Sequence, residues 1–172
     1  KVGNSAFYGC SRLKKIDFPN SIETLGNSCM SSCTNLEYVQ LPSKITVIAN
    51  SLMNECRNLK EIKIPENVTS IEGYSFSGCT NLERIEIPAS VEKIGSGVFG
   101  HAKSLKEIVI DKENKNFKFE NGLLMSKDGV TVCFGLLSLA TIDIPEGVTK
   151  ILEDGFTNSI ATTIKLPNSI QY

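Results

Sequence analysis

A β-rich solenoid is the fold class this sequence predicts: coils of 23 residues with a parallel β-sheet face and one β-hairpin or meander insertion. Three observations carry it. Pro19, Pro42, Pro65 and Pro88 stand 23 residues apart, each behind an apolar residue: Phe18, Leu41, Ile64 and Ile87. Apolar columns keep the same step, as in Leu13, Leu36, Leu59, Leu82 and Leu105, or Ile16, Val39, Ile62, Ile85 and Ile108. The step then breaks once, since 34 residues separate Ile110 from Ile144, before Ile144-Pro145 and Leu166-Pro167 restore the motif. A fixed period of this length marks a repeat architecture, in which no unit encloses its own apolar residues and neighbours must stack to bury them.

Within a unit, the apolar alternation of Ile62-Lys63-Ile64 reads as a short, half-buried strand. Proline ends it, because it has no N–H to extend a ladder. A second apolar pair follows in the columns Ile22, Ile45, Val68, Val91 and Leu25, Ile48, Ile71, Ile94. Gly26 and Gly95 suit a tight corner, and Ala49 and Glu72 in the same column imply an unstrained backbone there. The unit closes on a column of large side chains, Phe7, Met30, Met53, Phe76 and Phe99. In the interval 112–134, Asn121-Gly122 and Asp128-Gly129 lie between short apolar runs, the turn chemistry of a meander that replaces one coil's outer arc.

The whole of 1–172 thus reads as one solenoid, and its ends in mid-pattern suggest a section of a longer chain. With 18 basic and 19 acidic residues, the net charge of −1 gives no drive towards nucleic acid or anionic lipid. No apolar run approaches the roughly 18 residues of a membrane-spanning helix.

The motifs that carry the repeat, Asn20-Ser21-Ile22-Glu23-Thr24-Leu25-Gly26, Ser90 to Phe99 and Gly73 to Pro88, resemble the BspA-like, Treponema-type leucine-rich repeat. The resemblance covers essentially the whole chain and extends to Asn114-Lys115-Asn116-Phe117, similar to the Asn-x-x-Phe that introduces insertions in such arrays. Where the family has Ala-Phe, this chain has Cys29-Met30 and Leu52-Met53, which keep the apolar volume. The resemblance implies an extracellular or cell-surface location, a protein partner such as a host matrix or cell-surface protein, and an adhesin-like role.

Candidate chemistry is sparse. Cys10, Cys33, Cys56 and Cys79 form another 23-residue column. Disulfides between neighbouring coils and plain packing of small side chains both fit it; parallel stacked side chains, and Ala102 in the next position, favour packing. His101 falls in a variable turn column and has no evident triad partners. The common nucleotide, hydrolase and metalloprotease motifs are missing, so no catalytic, cofactor or metal residue is nominated and no enzyme activity is expected. Asn67-Val68-Thr69 matches the glycosylation triplet, a weak signal.

The partner-binding candidates follow from strand geometry, since neighbours of a buried residue point to the other face. One outward row runs Lys15, Tyr38, Glu61, Arg84, Glu107 and Thr163; the other runs Asp17, Gln40, Lys63, Glu86, Val109 and Lys165. Beside them Lys14, Glu37, Lys60, Glu83 and Lys106 alternate in sign, which places opposite charges side by side in a parallel stack. Two roles fit such a face: a non-catalytic protein-binding module, or a spacer that presents another domain. The inserted segment is a second candidate surface for the former.

Overall fold

The structure, a computed structural model, describes residues 1–171. The regular coils contain β1 (Lys15–Asp17), β2 (Tyr38–Gln40), β3 (Val47–Ile48), β4 (Ser70–Ile71), β5 (Arg84–Ile87), β6 (Lys93–Ile94) and β7 (Glu107–Ile110). The insertion contributes β8 (Phe117–Glu120), β9 (Leu123–Ser126) and β10 (Thr131–Gly135). The coil pattern resumes with β11 (Thr141–Asp143), β12 (Lys150–Ile151) and β13 (Thr163–Lys165). Every strand is two to five residues long, and Pro19, Pro42, Pro88, Pro145 and Pro167 stand within two residues of the ends of β1, β2, β5, β11 and β13.

One face carries the parallel pairs β1–β2, β5–β7 and β11–β13, each in the register the repeat dictates: Ile16 faces Val39, Ile85 faces Ile108, and Ile142 faces Ile164. A second face carries the parallel sheet β3–β4–β6, with Ile48 beside Ile71 and Ile71 beside Ile94. The first face departs from the expected run of strands in coil three. There Glu61–Ile64 keeps its alternation, with Ile62 and Ile64 buried and Glu61 and Lys63 exposed, yet forms no ladder with β2 or β5.

The third side of each coil is an arc of turns, and it is tied to its neighbours more regularly than either strand face. Ser5, Phe7 and Gly9 donate N–H bonds to the carbonyls of Asn27, Cys29 and Ser31, at 2.8 to 2.9 Å. The same three bonds recur from Ser28, Met30 and Ser32, from Ser51, Met53 and Glu55, and from Tyr74, Phe76 and Gly78. Two residues per arc adopt positive φ. Ser5, Ser28, Ser51, Tyr74, Gly97 and Asp154 form one such column; Gly9, Ser32, Glu55, Gly78, His101 and Asn158 form the other. The corner glycines have a different cause. Gly26 and Gly95 lie outside the positive-φ columns, but a Cβ on Gly95 would sit 2.5 Å from Gly73 N, and one on Gly26 would meet Asn4. Close approach of the adjacent coil, not local strain, selects glycine there.

The core is a spine of columns. Leu36, Leu59, Leu82 and Leu105 are buried, as are Met30, Met53, Phe76 and Phe99. Phe76 and Phe99 stack with ring centroids 5.8 Å apart, and Phe134 of β10 takes the next place at 5.5 Å from Phe99.

Between β7 and β11 the meander β8–β9–β10 is antiparallel, and β10 continues it by pairing in parallel with β12. Asn121 and Gly122 both take positive φ, at 51° and 78°, so the β8–β9 turn has the geometry that Asn-Gly favours. The insertion is pinned at its entry by Asn114, which is buried. Its Nδ2 donates to Pro88 O (2.8 Å) and Val91 O (3.1 Å), while Oδ1 accepts from the N–H groups of Asn116 and Phe117. All the donors and both oxygen lone pairs of the amide are used. Asn114→Ala leaves those backbone groups buried and unpaired, which costs about 1–3 kcal/mol. Urea denaturation should show that loss; wild-type stability in the variant would mean the insertion is held some other way.

Candidate functional site

Eleven of the twelve partner-binding candidates are exposed, and Val109 is half-buried. The register sets Lys15 beside Tyr38, Asp17 beside Gln40, Arg84 beside Glu107, and Glu86 beside Val109. Thr163 and Lys165 pair with Thr141 and Asp143. They therefore form a group apart from the others, with the insertion between. Much of the charge is neutralised within the face: Lys15–Asp17 at 3.0 Å, Arg84–Glu107 at 3.0 Å, Arg84–Glu86 at 3.7 Å and Lys165–Asp143 at 3.3 Å. Lys15 Nζ also lies 5.0 Å from the centroid of the Tyr38 ring.

The sign-alternating column is less regular than its sequence suggests. Among the described residues only Glu83–Lys106 closes an ion pair, at 3.6 Å. Long exposed side chains gain little from fixing one geometry, so neighbouring register alone does not lock them together. Coil three, where Lys60 and Glu61 sit without a ladder, opens a shallow groove of about 560 Å³ lined by Glu37, Tyr38, Lys60, Glu61, Glu83 and Arg84. A second groove of about 530 Å³ lies where β6 ends its sheet and the meander begins, lined in part by Lys93, Ile94, Phe117 and Lys150. Sequence reasoning placed the face but missed both grooves, because each arises where a ladder stops and no residue type announces that.

The other candidates fall as follows. His101 is exposed in the second positive-φ column, with the Asn158 Nδ2 amide 3.1 Å from its Nδ1. Asn67 is exposed, its Nδ2 donating to Ser43 O at 2.9 Å. Tyr74 Oη donates to Asp154 Oδ2 at 2.9 Å. Hydrogen bonds from Thr157 and Tyr74 hold the Asp154 carboxyl below its usual range, and the bond to Asp154 raises the Tyr74 phenol.

The cysteine column is a hydrogen-bonded one, which goes beyond packing of small side chains. Cys33 Sγ donates to Phe7 O at 3.1 Å, Cys56 Sγ to Met30 O at 3.2 Å, and Cys79 Sγ to Met53 O at 3.3 Å. These three are buried, whereas Cys10 is exposed. Burial pushes the Cys79 thiol up to about 12 and Cys133 up to about 11, and raises Cys56 as well.

This is a β-solenoid repeat protein with an exposed strand face as a candidate surface. The BspA type leucine rich repeat region matches residues 1–121 and 131–172 in six copies, and the chain belongs to that family. Three solved structures are similar. A leucine rich cell surface protein from Faecalibacterium prausnitzii is 34% identical over 64% of this chain and 29% of its own, with a TM-score of 0.63. A leucine-rich repeat protein from Bacteroides ovatus is 25% identical over 99% of this chain and 42% of its own, with a TM-score of 0.68. The leucine rich repeat protein of T. pallidum, at 22% identity, covers 97% of this chain and 63% of its own, with a TM-score of 0.60, and shares the fold. The chain thus spans less than two thirds of each. No curated protein matches it. No helix among the described residues is long and apolar enough to cross a membrane.

The raised thiols have a consequence for stability. The folded protein keeps its Cys79 proton above pH 9.0, the ordinary thiol value, whereas the unfolded chain releases it. Stability from this source is complete below pH 9 and is lost as pH rises towards about 12. Urea midpoints should therefore fall more steeply from pH 9 to 11 in the wild type than in Cys79→Ala, a residue already accommodated at Ala102. Superimposable pH profiles would show that the buried thiol titrates as it does in the unfolded chain.

Proposed function

We propose that this chain is a non-catalytic protein-binding section of a secreted or cell-surface, adhesin-like protein, and that it docks its partner through the strand face. The observation that carries the reading is the outward double row from Lys15 to Glu107, exposed and mixed in charge, with Thr163 and Lys165 apart beyond the insertion, on a scaffold whose coils are tied to one another by backbone bonds. Repeat arrays use such extended faces to meet other macromolecules. A rigid face loses little conformational freedom on docking, so modest polar contacts suffice. The similarity to a cell surface protein of F. prausnitzii supports the location. Tyr38 is the face's aromatic anchor, 41% exposed, and Arg84 is its central guanidinium; both residue types are enriched at binding hot spots.

A spacer role is the second reading, and one observation favours it. Arg84, Lys15 and Lys165 already find carboxylates within the face, so part of its charge is satisfied without a partner.

The two readings separate in a binding assay of the immobilised chain against purified matrix proteins and intact host cells. On the docking reading at least one partner binds, and Tyr38→Ala with Arg84→Glu weakens it by about tenfold or more, equivalent to about 1.4 kcal/mol. The thermal melt should barely move, since both side chains are exposed. Unchanged binding in the double variant would remove the strand face as the site. If only replacement of 111–144 by a regular coil abolished binding, the site would lie on the insertion. Binding to none of the partners would favour the spacer.

A further inference from the structure

Resting on the docking reading, we infer that the groove at coil three is the primary subsite of the strand face, and that it takes an arginine- or lysine-bearing segment of the partner protein. Coil three is where the face changes character. Glu61–Ile64 runs between β2 and β5 without pairing to either, although the chain stays anchored just before it: Asn58 N bonds Thr34 O, Asn81 N bonds Arg57 O, and Glu83 N bonds Lys60 O at 3.4 Å. The interruption turns a flat surface into a concave one of about 560 Å³. Concavity matters because a side chain entering it meets several lining side chains at once.

The charges in and around the groove are unequally committed. Arg84 is held by Glu107 and Glu86, Lys106 is held by Glu83, and Lys15 is held by Asp17. Glu37 and Glu61 form no ion pair among the described residues, and Lys60 is the one lining cation without one. Among the lining residues two uncommitted carboxylates thus stand against one uncommitted ammonium, with the Tyr38 ring beside them. That ring already draws the Lys15 ammonium to 5.0 Å of its centroid, so its electronics suit a cation. A guanidinium or ammonium from a partner meets complementary charge at Glu37 and Glu61 and an aromatic surface between them. An acidic segment meets two free carboxylates against the single free ammonium of Lys60 and finds Arg84 occupied. Charge complementarity therefore selects the occupant.

The test uses the isotope-labelled protein and three blocked pentapeptides of the form Gly-X-Gly-X-Gly, with X as arginine, glutamate or serine. Backbone amide shifts are followed by NMR at low salt. The arginine peptide should give saturable shifts at residues 37–40, 60–63 and 83–85. Glu37→Gln with Glu61→Gln should weaken them at least tenfold, as should Tyr38→Ala, while the glutamate and serine peptides give no saturable shifts there. Amide spectra of the variants report directly whether they stay folded. Preference for the glutamate peptide, or arginine-peptide shifts that ignore the glutamine variant, overturns the inference. So does an arginine peptide that shifts nothing in the groove. If the peptides fail while the Tyr38→Ala and Arg84→Glu variant still loses its macromolecular partner, the docking face stands and only the basic-segment subsite falls. If both fail, the face itself is wrong.

Discussion

Everything in this molecule depends on the arc ladder, in which the N–H of one coil bonds the carbonyl 22 residues later. Ser5 to Asn27, Ser28 to Asn50 and Ser51 to Gly73 repeat the bond through successive coils. Alternate donors of each arc reach the next coil, while the donors between them, such as Tyr8 N and Cys10 N, close turns on Ser5 O and Phe7 O within their own coil. That geometry fixes the rise between coils and hence the register of the apolar columns. The strand faces then follow; coil three shows that one of them can open without disturbing Leu59, which stays fully buried.

The insertion interrupts this ladder and leaves one of its bonds in place. Strand β10 takes the coil's inner course and supplies Phe134 to the aromatic column, but the coil's arc is cut short. The arcs of its two neighbours therefore meet directly. Gly97 N donates to Glu153 O at 3.2 Å, Tyr74 reaches Asp154, and Asn158 approaches His101. Of the three arc bonds only the one from Gly97 spans the break, while Gly155 O accepts instead from Gly135 N at 3.0 Å, and beyond it the two positive-φ columns resume at Asp154 and Asn158. Asn114 secures the departure point by using its whole hydrogen-bonding capacity.

Much of this was legible in the residues, because periodicity reports burial. The Leu and Ile columns named the core, the prolines named the strand ends, and Asn121-Gly122 named a tight turn. What stayed hidden was backbone geometry carried by residues with no strong signature. Ser28, Ser51 and Glu55 take positive φ, and only Gly9, Gly78 and Gly97 in the same columns hinted at it. The glycines that did draw attention, Gly26 and Gly95, serve close approach instead. The cysteine column read as small side chains, whereas its thiols bond the carbonyls of the preceding coil. For the candidate site, alternation placed the exposed rows, but which charges pair and where the face opens depend on side-chain reach and on a lost ladder, neither of which a column of letters records.

The architecture also explains why a binding role sits comfortably on this chain. Solenoid faces vary without cost to the core, since outward residues on each strand are free of the columns. The central claim is that the arc ladder, more than the strand sheets, holds the coils in register. Native-state hydrogen exchange resolved by residue tests it most directly. The account predicts that the amides of Met30, Met53 and Phe76 exchange only through the global opening, while those of Lys60–Ile64 exchange orders of magnitude faster. Arc amides that exchange as quickly as those of coil three's open segment would contradict it.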